Sequence, residues 1–228
     1  DECADCPMAH MITADRIAEV RAEYENLAVV CYVNSTAEIK AVSDVCVTSS
    51  NAVKVVSNIP QKNIFFVPDN NLGRYVAEKL PEKHFIFHDG FCHVHKSIHA
   101  AELQAAKDAC PEALVLTHPE CTSDVVAMSD FVGSTSEIID FATQSDCKKF
   151  IICTEMGVFF ELQQKNPDKK FYSVGHRQFC PNMKKVTIDK VEQVLEKLGS
   201  GELEEITLSD EILTRAAKPL QRMLELAK

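Results

Sequence analysis

Short apolar runs alternate along the chain with segments whose apolar residues recur at helical spacing. Runs rich in β-branched and aromatic residues are typical of buried strands, and apolar positions three or four residues apart are typical of amphipathic helices. Eight strands are predicted on this basis, at 27–33, 45–48, 63–68, 84–87, 113–117, 131–133, 149–154 and 171–174. Helices are predicted between the first four strands, at 35–42, 50–58 and 72–80.

Strands that alternate with helices at these lengths form βαβ crossovers, which build parallel sheets with helices on both faces. We therefore expect an α/β protein made of small three-layer αβα domains, each with a parallel four-stranded sheet. The end of the chain, 209–228, has an amphipathic pattern with Pro219 near its middle, which predicts a helix that packs across the domains.

The second half of the chain repeats the first at an offset of 86 residues. The segment 31–52 aligns with 117–138, and PEKHF at 81–85 aligns with PDKKF at 167–171. Identity is low, but a common offset is harder to attribute to chance than any single match. Such self-similarity indicates a repeated structural unit.

Each repeat ends in a cysteine. Cys92 closes one unit and Cys180 closes the next, and Cys6 lies 86 residues before Cys92. Only five residues precede Cys6, whereas a complete upstream unit needs roughly 80 more. We therefore expect a pseudo-threefold arrangement of three units, of which this chain carries two and lacks most of the first. The predicted parts are the end of the first unit with a linking helix (1–24), the second unit (25–98), the third unit (99–188) and C-terminal helices (189–228).

The composition is that of an ordinary globular protein, with 228 residues of which 46% are hydrophobic and 25% are charged. The formal net charge of −10, without any run of Lys or Arg longer than two, argues against a nucleic-acid partner. No apolar stretch approaches the roughly 20 residues that cross a bilayer, and no signal-peptide pattern opens the chain. We expect a cytoplasmic protein without a membrane partner.

Ten cysteines are many for a chain without an export signal, and we expect thiols or metal ligands rather than disulfides. Cysteines within apolar runs, such as Cys31 and Cys153, are expected to be small buried residues.

The cysteines that end the repeats have a different expected role. Equivalent positions meet at a pseudo-threefold axis, so the thiols of Cys6, Cys92 and Cys180 are expected to converge. Three thiolates are too few for a closed four-cysteine site and leave one metal position open, where an iron acts as a Lewis acid. A three-thiolate zinc site and a redox pair of Cys3 with Cys6 are the alternatives.

Polar side chains follow equivalent strands in the two units. Tyr32 and Asn34 leave the first strand of one unit, and His118 and Glu120 leave the first strand of the next. Ligands of parallel sheets bind beyond the carboxyl ends of the strands, so these four side chains are candidates for one pocket.

Hydroxyl groups follow the second strand of each unit and begin a helix, at 49–50 and at 134–136. A helix N-terminus with hydroxyl groups suits a carboxylate or phosphate, and plain helix capping is the alternative. Four histidines lie near Cys92, at positions 88, 93, 95 and 99. Because the repeat has no matching histidines beside Cys180, we expect surface, capping or hydrogen-bonding roles for them.

The chain resembles the quinolinate synthase family in stretches that follow family order over nearly its whole length. They are ADCPMAHMITAD (4–15), YVNSTAEIKAVSD (32–44), VTSSNA (47–52), PDNNLGRYVA (68–77), GFCHVH (90–95), HPEC (118–121), GSTSEII (133–139), TEMGVFFELQQKNPDKKF (154–171) and CPNMKK (180–185). Two positions depart from the family pattern, with Asp5 where Gly is usual and His10 where Asp is usual.

The resemblance implies three αβα domains around a [4Fe–4S] cluster with one iron that has no protein ligand. It implies an enzyme that condenses iminoaspartate with dihydroxyacetone phosphate to quinolinate, losing phosphate and two waters, in NAD biosynthesis. L-aspartate oxidase or aspartate dehydrogenase would supply the iminoaspartate. Another three-cysteine [4Fe–4S] hydro-lyase and a non-enzymatic cluster-based sensor are the alternatives. Because the family places further pocket residues in the first domain, little activity is expected of this chain alone.

The resemblance also implies roles for particular residues. The cluster ligands would be Cys6, Cys92 and Cys180. The substrate-binding residues would be Tyr32, Asn34, Ser49, His118, Glu120 and Thr135. Glu120 is the expected general acid/base, Tyr32 is expected to move a proton or orient an intermediate, and His118 is expected to bind a substrate carboxylate or phosphate.

Overall fold

The computed structural model describes residues 3–203 and 205–228, which contain two α/β units. The N-terminal segment holds a 3-10 helix (Pro7–His10) and helix α1 (Ala14–Glu23). The strands of the first sheet are β1 (Leu27–Tyr32), β2 (Val45–Val47), β3 (Asn63–Val67) and β4 (His84–Phe87). The helices between them are α2 (Ala37–Ala41), α3 (Ala52–Ser57) and α4 (Asn70–Lys79).

Two helices, α5 (His93–Lys96) and α6 (Ala100–Ala109), lead into the second unit. The strands of its sheet are β5 (Leu114–Thr117), β6 (Phe131–Val132), β7 (Lys149–Cys153) and β8 (Lys170–Ser173). The helices between them are α7 (Ser123–Ala127), α8 (Thr135–Gln144) and α9 (Val158–Lys165). A 3-10 helix (Met183–Lys185), α10 (Ile188–Lys197) and α11 (Asp210–Leu226) follow.

Both sheets have the same topology. The strand orders are β2-β1-β3-β4 and β6-β5-β7-β8, and every neighbouring pair is parallel. All eight predicted strands are present, with bounds that differ from the prediction by no more than one residue. The predicted α/β class with parallel four-stranded sheets is therefore confirmed, and the matching strand orders explain the repeat in the sequence.

The central strands are buried on both faces, which is why their sequences are almost continuously apolar. In β1, Val29 and Val30 are completely buried and belong to cores on opposite faces of the sheet. In β7, Ile151 and Ile152 divide in the same way between two further cores. Each sheet is therefore the middle layer of an αβα unit, and polar side chains are placed at the strand ends.

Two predictions about individual cysteines are also confirmed. Cys31 and Cys153 are completely buried within the central strands β1 and β7. All ten cysteines are free thiols.

The last helix, α11, lies mainly on the first unit, where it packs against α2, α3 and β2. Asn58 donates from Nδ2 to the carbonyl oxygen of Leu226 at 2.9 Å, and Pro219 is buried within the helix. Helix α10, in contrast, leaves Ile188 and Leu195 largely exposed. None of the helices in the described ranges combines the length and apolar character that crossing a membrane requires.

Candidate functional site

The carboxyl ends of both sheets face a common cleft of about 590 Å³. All nine residues that the sequence singled out line this cleft. They are Cys6, Tyr32, Asn34, Ser49, Cys92, His118, Glu120, Thr135 and Cys180. The fold therefore brings together residues that lie up to 174 positions apart in the sequence.

Equivalent strand ends supply the two sides of the cleft. Tyr32 is the last residue of β1, and Asn34 lies two positions beyond it. His118 follows the last residue of β5, with Glu120 two positions farther on. Parallel strands end at the same edge of their sheet, which is why side chains at equivalent positions of the repeat meet here.

The three cysteines share a local structure. The carbonyl oxygens of Cys6, Cys92 and Cys180 accept hydrogen bonds from the N–H groups of Ala9 (3.0 Å), Lys96 (3.0 Å) and Lys184 (3.2 Å). Each cysteine thus begins a helical turn, and all three are half-buried. The start of a helix favours a thiolate through its free N–H groups. Burial raises the pKa of the Cys6 thiol, so metal binding at this position would displace a proton.

The distances between donor atoms distinguish a site for a single metal ion from a site for a metal cluster. A tetrahedral zinc about 2.3 Å from each sulfur would hold three thiolates within roughly 4 Å of one another. In residues 3–203 and 205–228, the ligand atoms grouped within 4.8 Å of one another are instead those of Cys92, His95 and Glu120. In an iron–sulfur cluster each cysteine binds a different iron, so wider spacing is tolerated. Three half-buried cysteines around one cleft are a donor set that suits a cluster in which each thiolate binds a different iron.

A buried hydrogen-bond network joins the two units across the cleft. The Tyr32 hydroxyl donates to Oε1 of Glu120 at 2.6 Å, a contact between residues 88 positions apart in the sequence. Oε2 of the same carboxylate lies 3.1 Å from Nδ1 of His95, and Nε2 of His95 lies 3.0 Å from the Thr154 hydroxyl. Asn71 donates to the Glu120 carbonyl oxygen at 3.1 Å. Glu120 is therefore held from both sides, and its carboxylate is the centre of the network.

The charges in this network follow from burial and proximity. Burial alone would raise the pKa of Glu120, but the positive charge of His95 and the hydrogen bond between them lower it to about 2. Burial also opposes a charge on His95, yet the Glu120 carboxylate raises the pKa of His95 to about 10. Burial and the nearby Glu120 carboxylate raise the pKa of Tyr32 well above its ordinary value. At neutral pH the site thus holds a carboxylate, an imidazolium and a neutral phenol.

His118 differs from His95, although their rings are stacked with centroids 4.6 Å apart. Burial, together with the positive charge of His95, lowers the pKa of His118 to about 4. The backbone N–H of Glu120 donates to Nδ1 of His118 at 3.3 Å. In the neutral ring the proton is therefore on Nε2, which makes His118 a hydrogen-bond donor without charge.

Sequence reasoning did not single out His95 or Thr154 as site residues. Among the four histidines near Cys92, His88 bonds the carbonyl oxygen of Met11 at 2.6 Å and His99 lies 3.4 Å from Arg177. His95 does have a hydrogen-bonding role, but it is buried in the cleft. The sequence feature that could have identified His95 is its position three residues after Cys92, which places both side chains on the same face of a helical turn.

Asp5 and His10, which the resemblance marks as departures from the family pattern, contact each other. Nε2 of His10 lies 2.5 Å from Oδ2 of Asp5, next to Cys6. Both side chains are exposed, so the pair adds little to stability. The pair places the Asp5 carboxylate in the lining of the cleft beside Cys6.

Comparison with known proteins identifies the relatives of this chain. The family model described as "Quinolinate synthetase A protein" matches residues 1–225. The chain is 48% identical to the quinolinate synthase of Caldicellulosiruptor saccharolyticus over 224 residues, which cover 98% of this chain and 73% of that protein. It is 48% identical to that of Alkaliphilus metalliredigens, covering 98% and 72%, and 44% identical to that of Clostridioides difficile, covering 99% and 73%.

Proposed function

Because the chain belongs to the quinolinate synthase family, we propose that it serves the condensation of iminoaspartate with dihydroxyacetone phosphate to quinolinate in NAD biosynthesis. The reaction releases one phosphate and two waters. An upstream enzyme that oxidises aspartate, either L-aspartate oxidase or aspartate dehydrogenase, would supply the iminoaspartate. The observation that carries the proposal is the single cleft in which three half-buried thiols adjoin a buried network of carboxylate, imidazole and phenol.

The proposed cofactor is a [4Fe–4S] cluster held by Cys6, Cys92 and Cys180. Their free thiols and their positions at the starts of helical turns support this assignment. When bound, such a cluster supplies one iron without a protein ligand, which acts as a Lewis acid toward a substrate oxygen.

Glu120 is proposed as the general base. Its carboxylate is ionised and accepts hydrogen bonds from Tyr32 and His95, so its first step is to take up a proton rather than to give one. Once protonated, the same carboxyl can return the proton to a leaving hydroxyl as water departs. Tyr32 stays protonated and donates, which orients the carboxylate and any intermediate beside it.

His118 is proposed to bind a carboxylate or phosphate of the substrates through Nε2–H. Its low pKa means that it binds as a neutral donor, which adds no charge beside the imidazolium of His95. Ser49, Thr135 and Asn34 supply further polar groups around the cleft. Thr135 is the first residue of α8, whose N-terminus adds free backbone N–H groups that favour an anion.

The cofactor assignment is tested by anaerobic purification and spectroscopy. We expect absorbance near about 400 nm from the protein with its three cysteines. Replacing Cys6, Cys92 or Cys180 by Ser should remove that absorbance, whereas Cys110→Ser, which changes a half-buried cysteine outside the cleft, should not. A colourless protein that contains zinc would reject the assignment.

The reaction is tested by quinolinate formation from the two substrates with the natural full-length protein. Quinolinate formation distinguishes the proposal from another hydro-lyase with a three-cysteine cluster and from a cluster-based sensor. A protein that binds the cluster but forms no quinolinate would favour one of those two alternatives.

A further inference from the structure

Two acidic residues occupy equivalent positions beside two of the cysteine turns. Asp69 is the second residue after β3, and Glu155 is the second residue after β7. They are 155 − 69 = 86 residues apart, which is the period of the repeat. Neither residue takes part in the proposed reaction.

Asp69 joins the end of its strand to the Cys92 turn. Its Oδ1 accepts a hydrogen bond from the N–H of Leu72 at 2.7 Å, and its Oδ2 accepts one from the N–H of Cys92 at 3.0 Å. The side chain is completely buried. A buried carboxylate is costly unless both of its oxygens are bonded, and these two N–H groups satisfy one oxygen each.

Glu155 joins the end of its strand, β7, to the Cys180 turn in the same way. Its Oε2 accepts from the N–H of Gly157 at 2.6 Å, and its Oε1 accepts from the N–H of Cys180 at 3.2 Å. Nζ of Lys184 lies 3.3 Å from Oε1. In both units, then, one carboxylate bonds the start of the next helical segment with one oxygen and the cysteine N–H with the other.

A backbone contact accompanies each carboxylate. The N–H of Asn70 donates to the carbonyl oxygen of Gly90 at 2.8 Å, and the N–H of Met156 donates to that of Gln178 at 2.7 Å. Each contact joins the residue after the carboxylate to the residue two positions before the cysteine. Its occurrence in both units indicates one structural device used twice.

We infer that Asp69 and Glu155 are positioning residues that fix the positions of the Cys92 and Cys180 thiolates relative to the cluster. The inference rests on the proposed function, because it requires that these cysteines bind the cluster. Residues that orient metal ligands through hydrogen bonds typically change metal affinity about 10–100-fold when they are replaced.

The test replaces each acid by its amide, in Asp69→Asn and Glu155→Gln. An amide has one acceptor oxygen, so it cannot accept from both N–H groups, and its NH2 faces a donor. We expect each variant to lose its cluster to an iron chelator about 10–100-fold faster than the wild-type protein, measured anaerobically by absorbance. The EPR spectrum of the reduced cluster should also change, which a general loss of stability would not produce.

Asp130→Ala is the control. Oδ2 of Asp130 accepts from the N–H of Val115 at 2.7 Å, at the start of β5 rather than at the cleft. Alanine removes this carboxylate–backbone bond, so the variant should lower stability without changing the chelator rate or the EPR spectrum. Glu155→Asp keeps the charge but is one methylene group shorter, so it should not reach the N–H groups of both Gly157 and Cys180 and should behave like Glu155→Gln.

The outcomes separate this inference from the proposed function. Wild-type release rates and spectra in Asp69→Asn and in both Glu155 variants would overturn the inference and leave the cluster assignment intact. Equal acceleration in Asp130→Ala would also overturn it, because stability alone would then explain the effect. If Asp69→Asn fails to fold, the two Glu155 variants decide the outcome. A wild-type protein that takes up no cluster would overturn both.

Discussion

Replacing Glu120 by Gln should abolish most turnover while leaving the cleft intact. The wild-type carboxylate accepts from the Tyr32 hydroxyl at 2.6 Å and from His95 Nδ1 at 3.1 Å. The amide oxygen of glutamine can accept from Tyr32, and its NH2 can donate to Nδ1 of a neutral His95. Nε2–H of His95 then donates to Thr154. Every donor and acceptor of the network then keeps a hydrogen-bond partner. The site has nevertheless lost its proton acceptor, and His95 has lost the proton that balanced the charge of the Glu120 carboxylate.

The magnitudes of the two effects are very different. Exchanging charge-assisted hydrogen bonds for neutral ones in a buried network should lower the free energy of unfolding by about 1–2 kcal/mol. Removing a general base should lower kcat by roughly 10²–10⁴-fold, which corresponds to about 3–5 kcal/mol of the barrier. The loss of activity therefore greatly exceeds what the loss of stability could cause.

The assay is quinolinate formation by the natural full-length protein under anaerobic conditions, with cluster absorbance and urea denaturation measured on the same sample. Glu137→Gln is the control, because glutamine can keep the capping box that Glu137 forms with Ser134 at the start of α8. Full activity in Glu120→Gln would refute the assignment of the base. Loss of the cluster in this variant would show instead that Glu120 has a structural role at Cys92.

Two further predictions concern stability. The folded-state pKa of His118, about 4, is below its ordinary value of 6.5, so the unfolded chain takes up this proton first and stability is lost as the pH falls from about 6.5 toward 4. His118→Gln should flatten that part of the unfolding free energy profile in urea titrations, and an unchanged slope would contradict the burial argument. A Cβ on Gly90 would lie 2.3 Å from the carbonyl oxygen of Pro68, so Gly90→Ala must separate the strand end from the Cys92 turn. It should cost about 1–3 kcal/mol in urea denaturation and speed cluster release, and wild-type values for both would contradict the close approach.

The sequence predicted the architecture well because its signals are local and strong. Parallel strands buried on both faces must be apolar at nearly every position, so Val29–Val30 in β1 and Ile151–Ile152 in β7 mark their strands without reference to the rest of the chain. The three cysteines could be selected from ten because the repeat places Cys6, Cys92 and Cys180 at equivalent positions. That they line one cleft follows from the geometry of parallel sheets.

His95 was harder to predict because its surroundings come from distant parts of the chain. Its partners are Glu120 and Thr154, which lie 25 and 59 positions away. Its position three residues after Cys92 places it on the same helical face as that cysteine, but this spacing does not show that the ring is buried. Its neighbour His93 also lines the cleft, and the sequence did not distinguish the two.

The sequence by itself determined the α/β units and their repeat, because periodicity and equivalent positions are properties of the chain, and the family resemblance indicated the nine residues around the cleft. Only the tertiary structure decided the protonation states of the residues in the cleft. The proton on His95, the neutral ring of His118 and the ionised Glu120 depend on burial and on contacts across two units. The carboxylates of Asp69 and Glu155 likewise acquire a role only where folding brings each to a cysteine N–H more than twenty residues away. Electrostatic interactions depend on distance in space and on exclusion of water, and neither quantity exists before the chain has folded.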